Sequence, residues 1–178
     1  NLSHFDTRNV IDMTGTFSNS SFETINLTGW NTSNVTNMKN MFGGSQVKTL
    51  NLGHFNTAKV TDMSQMFFST DNLTSLNLSN WNTKSVTDFS SMFNSLGYNS
   101  TSVTLGDLSN WNVSSATIMT SMFQRCGYSA IAPFNIGNLA TKTVTLDDGT
   151  SYTAWDMSNK TDISYMFGAT ARKSDDFY

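Results

Sequence analysis

The sequence predicts an α/β repeat, a solenoid of stacked units. One face would carry a parallel sheet and the other short helices, with a β-hairpin insertion near the C-terminus. Three observations carry that expectation. Residues 26–42 (NLTGWNTSNVTNMKNMF) recur in register at 1–17, 51–67, 77–93 and 107–123, with a divergent sixth copy at 155–167. The first five copies start 25, 25, 26 and 30 residues apart, the spacing of units that bury their apolar faces only against their neighbours. Ser, Thr and Asn fill 71 of the 178 residues, yet 38 % of the chain is hydrophobic and 12 % aromatic. So polar a chain escapes disorder by setting its apolar residues at fixed intervals.

The unit 73–93 shows what each repeat contributes. Leu76 and Leu78 alternate with Ser75, Asn77 and Ser79, the period of a short strand with one buried face. Asn82-Thr83-Lys84-Ser85 supplies turn and helix-capping chemistry. Val86, Phe89, Met92 and Phe93 then fall at i, i+3, i+6 and i+7, which predicts one face of a short helix. Asp62 and Asp88 sit where the first turn of that helix would favour a carboxylate. Asn94, Ser95 and Gly97 would end it. A single unit buries too little to offset its own ordering entropy, so the array is expected to fold as one domain, 1–178.

After copy five the regularity fades, and residues 131–154 form an insertion that contains the only proline, Pro133. Within it, Thr141–Leu146 and Thr150–Ala154 alternate about Asp147-Asp148-Gly149, which predicts the hairpin. Insertions of this kind serve as binding loops or as plain edge covers. The chain starts inside a repeat and ends on RKSDDFY, which reads as a fragment of a larger protein.

Leu73-x-x-Leu76-x-Leu78 resembles the core of leucine-rich repeats. The strings at Trp30–Met38 and Trp81–Phe89 resemble, more narrowly, the bacterial surface proteins typified by BspA, also catalogued as a domain of unknown function. In the slot that such folds give to an asparagine ladder this chain carries Phe5, Trp30, Phe55, Trp81, Trp111 and Trp155. The resemblance implies an extracellular protein at the bacterial cell surface, anchored through parts outside this chain. It implies attachment to host tissue, mucus or other cells.

Several chemistries are disfavoured. Charged residues are only 13 % of the chain and the net charge is −3, so no basic patch exists to hold phosphates and nucleic acid is not an expected partner. No apolar run is long enough to span a membrane. Cys126 is alone, which leaves no intrachain disulfide and no Cys cluster for zinc; it reads as a small buried hydrophobe. His4 and His54 occupy equivalent repeat positions and look like a variable slot. With no nucleophile elbow, phosphate loop or metal motif, no enzyme, metal or cofactor is expected. The aromatic and methionine columns read as core rather than as sugar platforms or a soft metal site.

What remains is the outward face of the sheet: Thr24, Asn26, Thr28, Thr49, Asn51, Ser75, Asn77, Ser79, Asp107 and Ser109. Hydroxyls and amides both donate and accept, which suits glycans or extended peptide. The expected function is therefore a non-enzymatic adhesin module that binds a host glycoprotein, mucin or matrix protein through that face or the 131–154 insertion. The alternatives are a stalk without a ligand of its own and a glycan-specific lectin-like domain.

Overall fold

The computed structural model describes residues 2–130, 139 and 141–169. Pro133 with most of the first half of the insertion, and the last nine residues, lie outside them. Among the described residues there are four strands and no helix. Strands β1 (Thr49–Asn51) and β2 (Ser75–Asn77) pair in parallel with Leu50 opposite Leu76. Single parallel bridges, Thr24 to Thr49 and Ser75 to Thr104, carry that ladder one repeat further on each side. Strands β3 (Lys142–Thr145) and β4 (Ser151–Ala154) form an antiparallel hairpin.

The expected helical face is absent, and the reason lies in where the backbone hydrogen bonds go. Met38, Asn40, Phe42 and Gly44 donate their N–H groups to the carbonyls of Asp62, Ser64, Met66 and Phe68 in the next repeat, at 2.7–3.0 Å. The intervening N–H groups of Met41, Gly43 and Ser45 reach back only three residues, to Met38, Asn40 and Phe42. Half the donors thus serve the neighbour and half close tight turns, which leaves none for an α-helical ladder. Positive φ at every fourth residue (Asn40 at 54°, Gly44 at 69°) alternates the chain direction and excludes a helix. The same ribbon recurs in Val86–Phe93, whose i, i+3, i+6 spacing matches successive three-residue turns as well as it matches a helical face. A second row of parallel bridges runs along these ribbons through Asp12, Asn37, Asp62, Asp88, Ile118 and Asp162. The architecture is a stack of turn-built repeats, not an α/β array with helices on one side.

Side chains form continuous columns inside the stack. Phe17, Phe42, Phe67, Phe93, Phe123 and Phe167 stack face to face with centroids 5.3–5.8 Å apart, an offset geometry aromatic rings favour. Trp81, Trp111 and Trp155 do the same at 6.3 Å. Of the sequence column of aromatics, Trp30, Phe55, Trp81, Trp111 and Trp155 are buried, while Phe5, at the end of the stack, is 53 % exposed.

Polar residues hold the turns. In most repeats an Asn or Asp accepts, through Oδ1, the N–H two residues on: Asn82 from Lys84 and Asp88 from Ser90 in the fourth. What reads in sequence as helix capping is thus a set of Asx turns. A buried threonine column adds hydrogen bonds between repeats. The hydroxyls of Thr7, Thr32, Thr57 and Thr83 donate to the carbonyls of Asn31, Asn56, Asn82 and Asn112 at 2.8–3.0 Å. Thr57→Val keeps the shape but leaves the Asn82 carbonyl without this donor. A loss of about 1–3 kcal/mol is expected, read as a shift of the urea midpoint at unchanged slope. An unchanged midpoint would show that the column contributes packing alone.

Candidate functional site

The outward face lies largely where expected. Thr24, Asn26, Thr28, Thr49, Asn51, Ser75, Ser79 and Asp107 are exposed and Asn77 is half-buried. Its side-chain carbonyl and carboxylate oxygens, however, are engaged by their own backbone. Oδ1 of Asn26 accepts from Thr28 N, that of Asn77 from Ser79 N, and that of Asp107 from Ser109 N. Asn51 Oδ1 accepts from Gly53 N and from Asn77 Nδ2. Hydrogen bonds from Ser109 hold the Asp107 carboxyl below its usual range, with Lys142 adding to the effect. Ser109 is buried, and its hydroxyl accepts from Lys142 Nζ on the hairpin at 2.8 Å. Thr24, Thr49 and Ser75, at the strand positions, make no side-chain hydrogen bond among the described residues.

The hairpin creates the more enclosed site. It folds back over the fourth and fifth repeats, anchored by Lys142 on Ser109 and by the Tyr152 hydroxyl, which donates to the Asn110 carbonyl. Between them runs a groove of about 570 Å³. One wall is Asn80–Lys84 with Asn110, Asn112 and Ser114; the other is Leu146, Asp148, Thr150, Ser151 and Tyr152. Thr150 donates to Asp148 Oδ1 from its hydroxyl and its N–H, which lowers the Asp148 pKa, and Lys84 across the groove lowers it further. The groove therefore presents a cation on one rim and an anion on the other at neutral pH. Neither Lys84 Nζ nor the Asn110 amide makes a hydrogen bond among the described residues, so both are free for a ligand.

Sequence reasoning named the hairpin side of this groove but not Asn80, Lys84 and Asn110. The available signal was the pair of asparagines that replace His and Gly at one repeat position, in the two copies preceding the insertion. The histidine slot is also more than variable. Trp30, Trp81 and Trp155 donate Nε1–H to the carbonyls of Leu2, Leu52 and Leu108 in the preceding repeat. Phe55 has no such donor, and Nε2 of the adjacent His54 bonds the Leu27 carbonyl instead, at 3.1 Å.

Other chemistry finds little support among the described residues. No group of three His, Cys, Asp or Glu side chains converges to hold a metal ion. Cys126 is fully buried, and burial pushes its thiol well above the ordinary value, opposite to what a nucleophile requires. No helix is long and apolar enough to cross a membrane.

Fold and site together define a stacked-repeat protein with a hairpin-walled polar groove. A family model described as "Mycoplasma protein of unknown function, DUF285" matches residues 1–51, 45–148 and 98–177, and the chain belongs to that family. No curated protein and no solved structure matches the chain.

Proposed function

We propose that the chain is a non-enzymatic binding module of an extracellular bacterial adhesin, displayed at the cell surface and attached to a host glycoprotein, mucin or matrix component. The observation that carries this reading is the hairpin groove. The amide oxygens of Asn26, Asn51 and Asn77 on the outward face close turns, whereas here Lys84 and Asn110, with no side-chain hydrogen bond among the described residues, flank an open volume of ligand size beside Asp148. A neutral or zwitterionic polar chain, such as a glycan carrying acetamido and hydroxyl groups, matches those donors and acceptors. The resemblance of Trp81–Phe89 to BspA-type surface proteins supports the cell-surface setting.

A stalk with no ligand of its own is favoured by one observation, the engagement of the outward amides in Asx turns. Binding to immobilised mucin, before and after enzymatic removal of its glycans, separates the two. Combined Lys84→Ala, Asn110→Ala and Asp148→Asn is expected to weaken binding about 10- to 2,000-fold, at roughly 0.5–1.5 kcal/mol for each of three polar contacts. Asp148→Asn keeps the acceptor of the hairpin turn. Thr24→Ala, Thr49→Ala and Ser75→Ala together test the outward face and are expected to leave binding intact. Loss in the face variant alone would move the site to the sheet. No binding of the native chain to mucin or to matrix proteins would leave the stalk.

A further inference from the structure

The groove beside the hairpin holds two opposite charges that do not meet. Lys84 stands on the repeat wall and Asp148 on the hairpin wall. The lysine is near enough to lower the Asp148 pKa, yet the two form no ion pair. The rest of the lining is uncharged. Facing charges held apart in this way match a ligand that carries both signs itself, with its anion on Lys84 and its cation on Asp148.

The two walls differ in kind. On the hairpin wall the Thr150 hydroxyl and N–H both donate to Asp148 Oδ1, which leaves Oδ2 as the free acceptor. The neighbouring Ser151 hydroxyl is paired with Thr145. Beside the carboxylate stand Leu146, 47 % exposed, and the half-buried Tyr152. A primary ammonium brings three N–H donors and would find one unoccupied carboxylate oxygen. A quaternary ammonium brings none, and is held by charge with aromatic and apolar contact. The repeat wall is a donor surface without a carboxylate: Lys84 Nζ and the Asn110 amide, both without a hydrogen bond among the described residues, suit phosphate oxygens.

We infer that this groove binds the phosphocholine group, with its phosphate on Lys84 and Asn110 and its trimethylammonium against Asp148, Tyr152 and Leu146. Tyr152 is already fixed by its hydroxyl on the Asn110 carbonyl, so little ordering of that wall is needed on binding. The inference rests on the reading of this groove as the ligand site and names the zwitterion it takes. A sulfated polyanion is disfavoured, because it would set further negative charge beside Asp148.

NMR of the 15N-labelled chain, titrated with phosphocholine to about 20 mM, tests this. Amide shifts are expected at Lys84, Asn110, Asp148 and Tyr152 and not around Thr24, far along the stack. Choline and inorganic phosphate are each expected to bind about 10-fold more weakly, since each forfeits one charged contact. Lys84→Gln and Asp148→Asn replace exposed side chains and are expected to fold. Each is expected to weaken phosphocholine about 10-fold, and the effects cross: Lys84→Gln keeps choline binding and Asp148→Asn keeps phosphate binding. No shift with phosphocholine overturns the proposal. So does inorganic phosphate binding as well as phosphocholine, which would reduce the groove to an anion site, or phosphoethanolamine binding as well, which would remove the quaternary ammonium from the assignment. Co-sedimentation with phosphatidylcholine vesicles, against phosphatidylglycerol vesicles, supports a lipid headgroup as the source; shifts with the free ester alone support phosphocholine on a soluble or glycan-borne molecule. Mucin binding lost with the groove variants but unaccompanied by phosphocholine shifts overturns this inference and leaves the adhesin reading standing. Phosphocholine shifts in a chain that binds neither mucin nor matrix do the reverse.

Discussion

Phe93→Ala is expected to destabilise the stack by about 3–5 kcal/mol, the range for deleting a large aromatic side chain from a closed core. Phe93 is fully buried, stacked at 5.8 Å on Phe67 and at 5.3 Å on Phe123, and it tilts against Trp111. The ribbon cannot collapse into the resulting space, because its backbone is tied at both edges: Ser91 and Phe93 donate their N–H groups to the next repeat, and the carbonyls of Met92 and Asn94 accept from Phe67 and Ser69 of the preceding one. For a chain of this size the loss corresponds to a fall in Tm of roughly 6–20 °C. Phe167→Ala, in the same column but half exposed, should cost far less. Near-UV circular dichroism melts of the two variants decide the matter. Equal losses would mean that stability does not reside in the stacked column.

The second large effect is expected at Gly97. Its φ is +61°, where an L side chain costs about 1–2 kcal/mol. A Cβ there would also lie 2.3 Å from Val103 Cγ2 and 2.9 Å from the Leu73 carbonyl oxygen. The carbonyl belongs to backbone and the valine is buried, so overpacking of about 1–3 kcal/mol adds to the backbone strain. Gly97→Ala should therefore cost about 2–5 kcal/mol. Gly149→Ala is the control: its φ is +81° but nothing lies within 4 Å, so only the backbone penalty applies. If both substitutions cost the same in thermal melts, the tight approach of Val103 to Gly97 is not a constraint. Gly97 opens a two-residue motif shared with the next repeat, where Gly127 N bonds the Leu96 carbonyl and Tyr98 stacks on Tyr128 at 4.8 Å.

Much of the interior was legible from spacing. The aromatic column except Phe5, and Val86, Phe89, Met92 and Phe93, are buried as read, because the inward side chains follow a strict repeat. The hairpin residues carry their own local signals, alternation about an Asp-Gly turn, and β3 pairs with β4 on either side of it. The helix was misread for a definite reason. An i, i+3, i+6 pattern reports which side chains point inward, and a helix and a run of tight turns share that period. Asp88 illustrates the same ambiguity, since one carboxylate suits a helix start and an Asx turn equally, and here it accepts from Ser90 N.

The site divides along the same line. Alternation placed eight of the ten outward residues on the surface and misplaced Ser109, which is buried, and it could not reveal that the amide oxygens of Asn26, Asn51 and Asn77 close their own turns. It also could not show that Lys142 would cover Ser109, or that Tyr152 would bring Asp148 opposite Lys84. The hairpin contacts depend on residues 30 or more positions apart.

The sequence by itself determined the repeat, its register and the columns that form the core, because side-chain direction is set locally and copied at every period. Only the tertiary structure decided whether each backbone N–H would serve its own repeat or the next one. That choice depends on a neighbour being in place, and it turned an expected helix into a ribbon of turns.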